Sequence, residues 1–293
     1  MREVVEPRIA MAILVLMLMG GSIVFAIGSQ AAPDVWIAII LALAASVPFI
    51  LIYSRLVDIN PESDVFQTLE SALGRPITTV VSLIYGWYAL TLLYHVVNNM
   101  GHFVSVAGLV LTPRVVPRIV LIFLALLGAK CGVEVMARWS SLFLRVIMAT
   151  SLFAFILVLK EIDPSNLKPI MYNGFGPVLE GALTMLEFPF LEPVLFIFVG
   201  ISYRVKNSGR RVFLWGQFLA GTVILFIMTI TMMVVGPEGY RVLFYPVYGA
   251  VSRIDIGGFF TRLEITVTFL FLITTFVKST ICLIVAGRCL SYI

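Results

Sequence analysis

The feature that most constrains this chain is a succession of apolar runs, each long enough to cross a lipid bilayer. A hydrocarbon core is about 30 Å thick, so a spanning helix needs about 20 mostly apolar residues. Eight runs meet this condition, at about residues 9–29, 35–54, 77–110, 117–133, 139–159, 179–202, 211–236 and 258–287. Strands of a membrane β-barrel would alternate in polarity, and these runs do not. The sequence therefore predicts an all-α integral membrane protein with eight transmembrane helices in a single domain, residues 1–293.

The composition excludes several other classes of protein. Hydrophobic residues make up 60% of the chain and charged residues 12%, against about 45–50% and 25% in soluble proteins. Disorder needs the opposite balance. The 20 Lys and Arg are spread too thinly to form a basic face for nucleic acid. Three cysteines in or beside apolar runs do not make a disulfide scaffold. The lipid bilayer is therefore the expected surrounding, and no nucleic-acid partner is expected.

The distribution of Lys and Arg predicts the orientation of the chain. If the N-terminus is cytoplasmic, the inner loops hold more of these residues, mainly because of the basic cluster in residues 204–211. Cytoplasmic loops are enriched in Lys and Arg, so the N-terminus is predicted to lie in the cytoplasm. The first run exceeds the usual 7–15 apolar residues of a signal peptide and is expected to remain as a span.

Three polar segments separate the apolar runs. In residues 56–74, Phe66, Leu69 and Leu73 have helical spacing, which predicts a short helix at the membrane interface. Residues 161–176 and 237–257 contain Pro, Gly and Asn and are predicted to be outer loops.

Two of the predicted spans contain helix-breaking residues. The first carries Gly20, Gly21 and Ser22, and each glycine costs a helix about 1 kcal/mol relative to alanine. The sixth carries the segment Glu187–Pro193, in which two prolines remove helix donors within one turn. Freed backbone groups must face protein or a wet cavity, and carboxylates at mid-membrane usually mark a pathway or a partner.

Breaks in spans one and six together are typical of transporters built from two inverted five-helix repeats, where the site lies between the broken helices. The alternative interpretation is structural. The glycines would then form a close-packing face, and each proline would only kink its helix.

Polar residues in the third run lie on one face of the predicted helix, within an arc of about 120°. They are Tyr88, Thr91, His95, Asn98, Asn99, His102 and Ser105. This stripe is predicted to line a cavity, with His95 and His102 able to carry protons near neutral pH. Interhelical hydrogen bonding is the alternative for any single member.

Two cations lie within apolar runs. Lys278 is too far from the ends of the eighth span to reach water easily, so it needs a partner. Glu187, Glu192 or free backbone carbonyls of another span are the candidates. Arg145, in the fifth span, either reaches the cytoplasmic face or lies inside the bundle as a fixed cation.

Motifs for catalysis and cofactor binding are lacking. The sequence contains no phosphate-binding G-x-x-x-x-G-K-[ST] and no H-E-x-x-H or paired C-x-x-C. Glu187 and Glu192 could in principle act as a carboxylate pair, but no nucleophile motif accompanies them. We expect neither an enzyme nor a metal or cofactor site.

A series of short motifs resembles one membrane protein family. They are GGS at Gly20–Ser22, DVWIA from Asp34, LGRP around Arg75, GVEVMAR at Gly132–Arg138, EFPFLEP at Glu187–Pro193, YPVY at Tyr245–Tyr248, RLE at Arg262–Glu264 and FVKS at Phe276–Ser279. Their order resembles the spore germination permease family, the B-subunit type of nutrient germinant receptors in the amino acid/polyamine/organocation (APC) transporter superfamily. The resemblance covers nearly the whole chain.

The resemblance implies a ten-span fold of two inverted repeats, of which this chain supplies eight spans; spans nine and ten have no counterpart after Ile293. It also implies a germinant-sensing subunit in the spore inner membrane, acting with A-type and C-type subunits. The expected ligand is a small nutrient, most simply an amino acid.

The resemblance also assigns roles to residues. Amides at Gly20, Gly21 and Ser22 would bind a ligand carboxylate, and carbonyls freed near Met185 and Pro189 would bind its ammonium. Glu187 or Glu192 would add charge. The stripe residues His95, Asn98 and Asn99 complete the predicted binding set, and Arg145, Lys278 and His102 are the candidates for ion or proton coupling. A proton-coupled amino acid transporter and a scaffold subunit with a vestigial pocket are the alternative functions.

Overall fold

The computed structural model describes residues 3–59, 64–107, 111–203, 208–253 and 264–293. Its helices are α1 (Pro7–Met19), α2 (Val35–Ile59), α3 (Val65–Leu73), α4 (Arg75–Val106), α5 (Val115–Cys131), α6 (Val133–Val158), α7 (Phe175–Met185), α8 (Val194–Ile197), α9 (Gly209–Val242), α10 (Pro246–Val251) and α11 (Glu264–Tyr292). Two strands, β1 (Glu3–Val5) and β2 (Ile201–Tyr203), pair in parallel. Short 3₁₀ turns occupy Ser29–Ala31, Leu159–Glu161 and Pro164–Leu167, and Leu186–Phe190 is a π-type turn.

The helical, apolar character predicted from the sequence is confirmed. Within the described ranges, five helices are long and apolar enough to cross a membrane, namely α2, α4, α6 with its following turn, α9 and α11. The count of eight is not reached by this measure. The regular helices in the first, fourth and sixth runs have only 13, 17 and 11 residues. Parts of the third and eighth runs and of the basic cluster, residues 108–110, 258–263 and 204–207, lie outside the described ranges.

Hydropathy suggests an apolar run over residues 9–29, but this run does not form one continuous helix. Helix α1 ends at Met19, and Gly21 has a φ of 92°, in the left-handed region that favours glycine. Turns continue to the 3₁₀ turn at Ser29–Ala31. Hydropathy alone cannot distinguish a helix from an irregular segment that other helices bury.

The sixth run, predicted as a span over 179–202 with helix-breaking residues at Glu187–Pro193, contains several elements. Helix α7 ends at Met185, and Phe188 has extended backbone angles, φ −138° and ψ 115°. Helix α8 follows with four residues, and the run ends in β2. Pro189 has no N–H to donate and its ring blocks a helical path, so the chain changes direction at the segment that the sequence marks.

Helices α1 and α11 form the centre of the bundle. Every residue of α1 from Ala12 to Met19 is buried. Helix α11 packs on α4, α5 and α1, and α9 packs on α1 and α2. The parallel β1–β2 pairing sets the N-termini of α1 and α9 side by side, because each strand leads into one of these helices.

The polar segments are only partly as predicted. The short helix expected in residues 56–74 is confirmed as α3, and Phe66 stacks on Tyr292 with ring centroids 4.9 Å apart. The second predicted outer loop is wrong in detail. Helix α9 resumes after a kink at Gly236 and continues to Val242, and α10 follows.

Candidate functional site

The centre of the candidate site is an ion pair at the point where the irregular segments meet α11. Nζ of Lys278 donates to Oε2 of Glu192 at 2.6 Å and to the carbonyl oxygen of Gly20 at 3.1 Å. Both charged side chains are buried, with exposed fractions of 0% and 1%. Of the partners predicted for Lys278, which were Glu187, Glu192 or free carbonyls of another span, the structure shows Glu192 and the Gly20 carbonyl.

The Gly20 carbonyl is available because α1 ends there. In a continuing helix this oxygen would accept from the amide of Val24, but that amide donates to Gly21 at 3.1 Å. A Cβ on Gly20 would lie 2.8 Å from Cδ of Lys278 and 3.0 Å from the Thr274 carbonyl oxygen. Glycine at this position therefore lets the lysine side chain cross α1 in close contact.

Glu192 is positioned by the break after α7. Its amide donates to the Pro189 carbonyl at 3.1 Å, which turns the carboxylate toward Lys278. The ring of Phe188 lies over the ammonium group, with 4.4 Å from Nζ to the ring centroid, a cation–π contact. Oε1 of Glu192 is buried and has no hydrogen-bond partner among the described residues. One carboxylate oxygen is thus occupied and the other is free.

Donor groups are free on the other side of the site. The amides of Gly21 and Ser22 donate to no backbone acceptor among the described residues. The Ser22 hydroxyl itself donates to the Leu18 carbonyl at 2.6 Å, within its own turn of chain. The contribution of Ser22 to the site is therefore its backbone rather than its side chain.

A buried glutamine that the sequence analysis missed supports the second break. Nε2 of Gln217 donates to the Phe190 carbonyl and to Oγ of Ser46, both at 3.0 Å. The sequence predicts a free carbonyl at Pro189, but that carbonyl accepts from the amide of Glu192. The carbonyl that accepts from a side chain is the next one, at Phe190. A single amide side chain inside the apolar run 211–236 was the available signal.

Glu187 does not join Glu192: of the two carboxylates named as alternatives, only Glu192 contacts Lys278 in the structure. Its side chain is exposed and forms no ion pair with the described residues. The extended backbone at Phe188 separates the two carboxylates. Pro189 is buried beside the ion pair and is part of the site through the backbone.

The stripe on α4 is divided in the structure. His102 Nδ1 is 2.7 Å from the Tyr245 hydroxyl, within a cluster of aromatic rings. His95 is exposed, with its ring against Tyr94 at 5.4 Å, so it does not line a cavity around Lys278. Helix α4 packs on α11 and α5 through its other face. Asn98 and Asn99 are half-buried, and their side chains form no hydrogen bond with the described residues.

Arg145 is outside the bundle rather than inside it. Its side chain is exposed, and its Nε donates to the Ser141 carbonyl of the same helix at 3.2 Å. Of the two intramembrane cations, only Lys278 lies at the site. No group of three metal-ligating side chains occurs in the described ranges.

A cavity of about 340 Å³ opens on the side of the bundle opposite to the N-terminus. Its walls are residues 25–30, Thr184, Phe188 and residues 241–244. We call this cavity the vestibule. The ring of Phe188 lines the vestibule and also lies over Lys278. Phe25, on the same wall, packs edge-on against Phe244 with ring centroids 5.8 Å apart. Aromatic rings therefore separate the vestibule from the ion pair.

Comparison with known proteins decides the family. The family model described as "Spore germination protein" matches residues 4–293. The chain belongs to the spore germination permease family. This confirms the resemblance seen in the motifs, and an APC-type fold is consistent with it. The family consists of permease-like germination proteins rather than enzymes.

Similar relatives come from Bacillus subtilis (strain 168). Spore germination protein KB is 23% identical over 250 residues, which cover 84% of this chain and 67% of the relative. Spore germination protein YndE is 25% identical and covers 79% and 64%. Spore germination protein A2 is 26% identical and covers 78% and 62%. This family member thus spans about two thirds of the length of the relatives it matches.

Proposed function

We propose that this chain is the membrane subunit of a spore nutrient germinant receptor, and that it binds a small nutrient, an amino acid, between the segment after α1 and the break after α7. The supporting observation is that free groups of opposite character flank the Lys278–Glu192 pair. Within the part of the chain that the structure describes, Gly21 and Ser22 offer unpaired amides, and Glu192 offers an unpaired carboxylate oxygen. A zwitterion needs donors for its carboxylate and an acceptor for its ammonium group.

In this proposal the breaks are those of spans one and six in an inverted-repeat fold. Such folds place the ligand site where discontinuous helices meet. The ligand enters through the vestibule above Phe188, and the aromatic rings close over it. Binding then shifts the bundle between two states and starts germination, because a ligand favours the state that it binds better.

Lys278 has a structural role in the same proposal. Its ammonium joins a carbonyl of the first broken segment to a carboxylate of the second, as a bound cation would in ion-coupled relatives. The other predicted residues contribute less directly. His102 joins a cluster of aromatic rings through Tyr245. His95, Glu187 and Arg145 are exposed, and Asn98 and Asn99 form no hydrogen bond with the described residues.

The proposed setting is the spore inner membrane with the N-terminus in the cytoplasm, together with A-type and C-type receptor subunits. The names of the relatives support a germination role, and the described apolar helices support a bilayer location.

The second candidate function is a proton-coupled amino acid transporter, because a buried Lys–Glu pair is a group that can exchange protons. The complete receptor, reconstituted in vesicles with labelled amino acids and an imposed proton gradient, separates the two functions. Saturable binding without gradient-driven accumulation supports the sensor. Accumulation would establish transport, and neither binding nor uptake would leave the subunit as a scaffold.

A further inference from the structure

A groove between the N-terminal ends of α1 and α9 has a polar end and an apolar wall. Its cavity volume is about 520 Å³. The polar end is formed by Glu6, Arg8, Ser208 and Arg211, and the wall by Pro7, Met11, Val212, Trp215, Phe218 and Leu219. The groove lies at the opposite end of the bundle from the vestibule and shares no residue with it.

Two backbone features hold this groove together. The β1–β2 pairing brings the first turns of α1 and α9 next to each other. At Gly216 the two helices come close, since a Cβ there would lie 2.8 Å from Cδ2 of Leu14. The floor of the groove is therefore a fixed helix contact, and its walls do not depend on a bound partner.

The charge at the polar end is positive and unpaired. Arg8 and Arg211 are both exposed, and neither forms an ion pair or hydrogen bond with another residue in the part of the chain that the structure describes. Among the described residues, Glu6 lies at the rim, and the Asp58 carboxylate lies close by and accepts from the amides of Gly209 and Arg210. With Arg8, Arg210 and Arg211 set against these two carboxylates, the polar end keeps a net charge of about +1. Arg210, beside Arg211, is also exposed.

The apolar wall runs along α9 away from the arginines. Trp215 and Phe218 lie one and two turns beyond Arg211, and their exposed fractions are 62% and 56%. Their rings pack edge-on at 6.0 Å. Indole rings favour the membrane–water interface, where one part is apolar and the other wet. The wall thus continues from the interface into the bilayer along a candidate spanning helix.

We propose that this groove binds an anionic phospholipid of the cytoplasmic leaflet. The phosphate lies between Arg8 and Arg211, and one acyl chain lies along Met11, Trp215 and Phe218. Basic pockets between transmembrane helices on the cytoplasmic side recognise lipid headgroups in this way. An acidic protein segment would match the arginines but not the exposed apolar wall, which points into hydrocarbon.

The test uses the full chain in bilayers of phosphatidylcholine with a small fraction of brominated lipid. Bromine quenches nearby indole fluorescence, and the contribution of Trp215 is the difference between the wild type and Trp215→Phe. We expect brominated phosphatidylglycerol to quench Trp215 at a mole fraction at least fivefold lower than brominated phosphatidylcholine. A favourable interaction of this size is about that of a single basic residue near an anionic surface.

Matched variants assign the preference to the groove. Arg8→Gln with Arg211→Gln should abolish the fivefold difference, while Arg138→Gln with Arg145→Gln removes the same charge from α6 and should leave it unchanged. Equal quenching by the two lipids in the wild type would overturn the proposal. So would a preference that survives in the first double variant, or one that millimolar glycerol phosphate removes, since that would show a site for free anions.

Discussion

At the scale of single residues, the site depends on a lysine that joins two irregular segments. Lys278 contacts the Gly20 carbonyl and the Glu192 carboxylate in a fully buried position. A buried ion pair is costly to form, and removing one partner leaves an uncompensated charge. The same residues are therefore expected to control both the stability of the bundle and the shape of the ligand site.

Gly20→Ala should destabilise the chain. The added methyl group would lie 2.8 Å from Lys278 Cδ and 3.0 Å from a carbonyl of α11, and overpacking of a dense interior costs about 1–3 kcal/mol. Thermal unfolding in detergent measures the effect. Gly176→Ala is the control, because a Cβ there meets nothing within 4 Å. Equal loss in the two variants would contradict the close contact at Gly20.

Substitutions of the two carboxylates of the sixth run should have very different effects on the free energy of unfolding. Glu192→Gln leaves the Lys278 ammonium buried without its counter-charge, which costs about 3–5 kcal/mol, whereas Glu187→Gln changes an exposed side chain and should have little effect. Adding Lys278→Met to Glu192→Gln should recover part of the lost stability. Unfolding midpoints of the wild type, Glu192→Gln, Lys278→Met and their double variant give the coupling, and independent, additive losses would show that the pair does not form.

At the scale of elements, the irregular segments after α1 and α7 are held by side chains of neighbouring helices as well as by their own turns. Gln217 on α9 satisfies the Phe190 carbonyl and is itself fixed by Ser46 on α2. The break after α7 is thus tied to two long helices. An unsatisfied buried acceptor costs about 1–3 kcal/mol, so this glutamine stabilises the segment that we propose to bind the ligand.

Gln217→Leu should loosen the segment from Leu186 to Glu192 without unfolding the bundle. Hydrogen exchange followed by mass spectrometry should show faster exchange of this segment and unchanged exchange in α11. Thr222→Val, on an exposed face of the same helix, is the matched control. Uniform loss of protection throughout the chain would mean that the glutamine supports the whole core instead.

Some features of these elements can be predicted from the sequence, and others cannot, for reasons that particular residues show. The breaks at Gly20–Gly21 and Pro189, and a partner for Lys278, can be inferred because glycine, proline and a buried charge each have a local physical cost. The exposure of His95 and Glu187 cannot, since helical spacing gives the angle between residues but not which neighbour covers them. The β1–β2 pairing joins three-residue segments far apart in the chain, which no periodicity reveals.

At the scale of the whole molecule, the two ends of the bundle have different surfaces. The vestibule end carries the aromatic rings of Phe25, Phe188 and Phe244. The other end carries the paired strands and the basic groove. Helix α1 connects them, because it begins at the groove and ends at the Lys278 contact. A shift of α1 would therefore change both the groove and the Lys278 contact.

We propose that Lys278 and Glu192 hold the two irregular segments in the form that binds the nutrient. Equilibrium binding of a labelled amino acid to the purified complete receptor tests it, with Lys278→Met and Glu192→Gln compared to Arg145→Gln and Glu187→Gln. We predict that the first two variants lose affinity at least tenfold and that the second two retain it. Wild-type affinity in Lys278→Met, in a receptor that still assembles, would contradict the account.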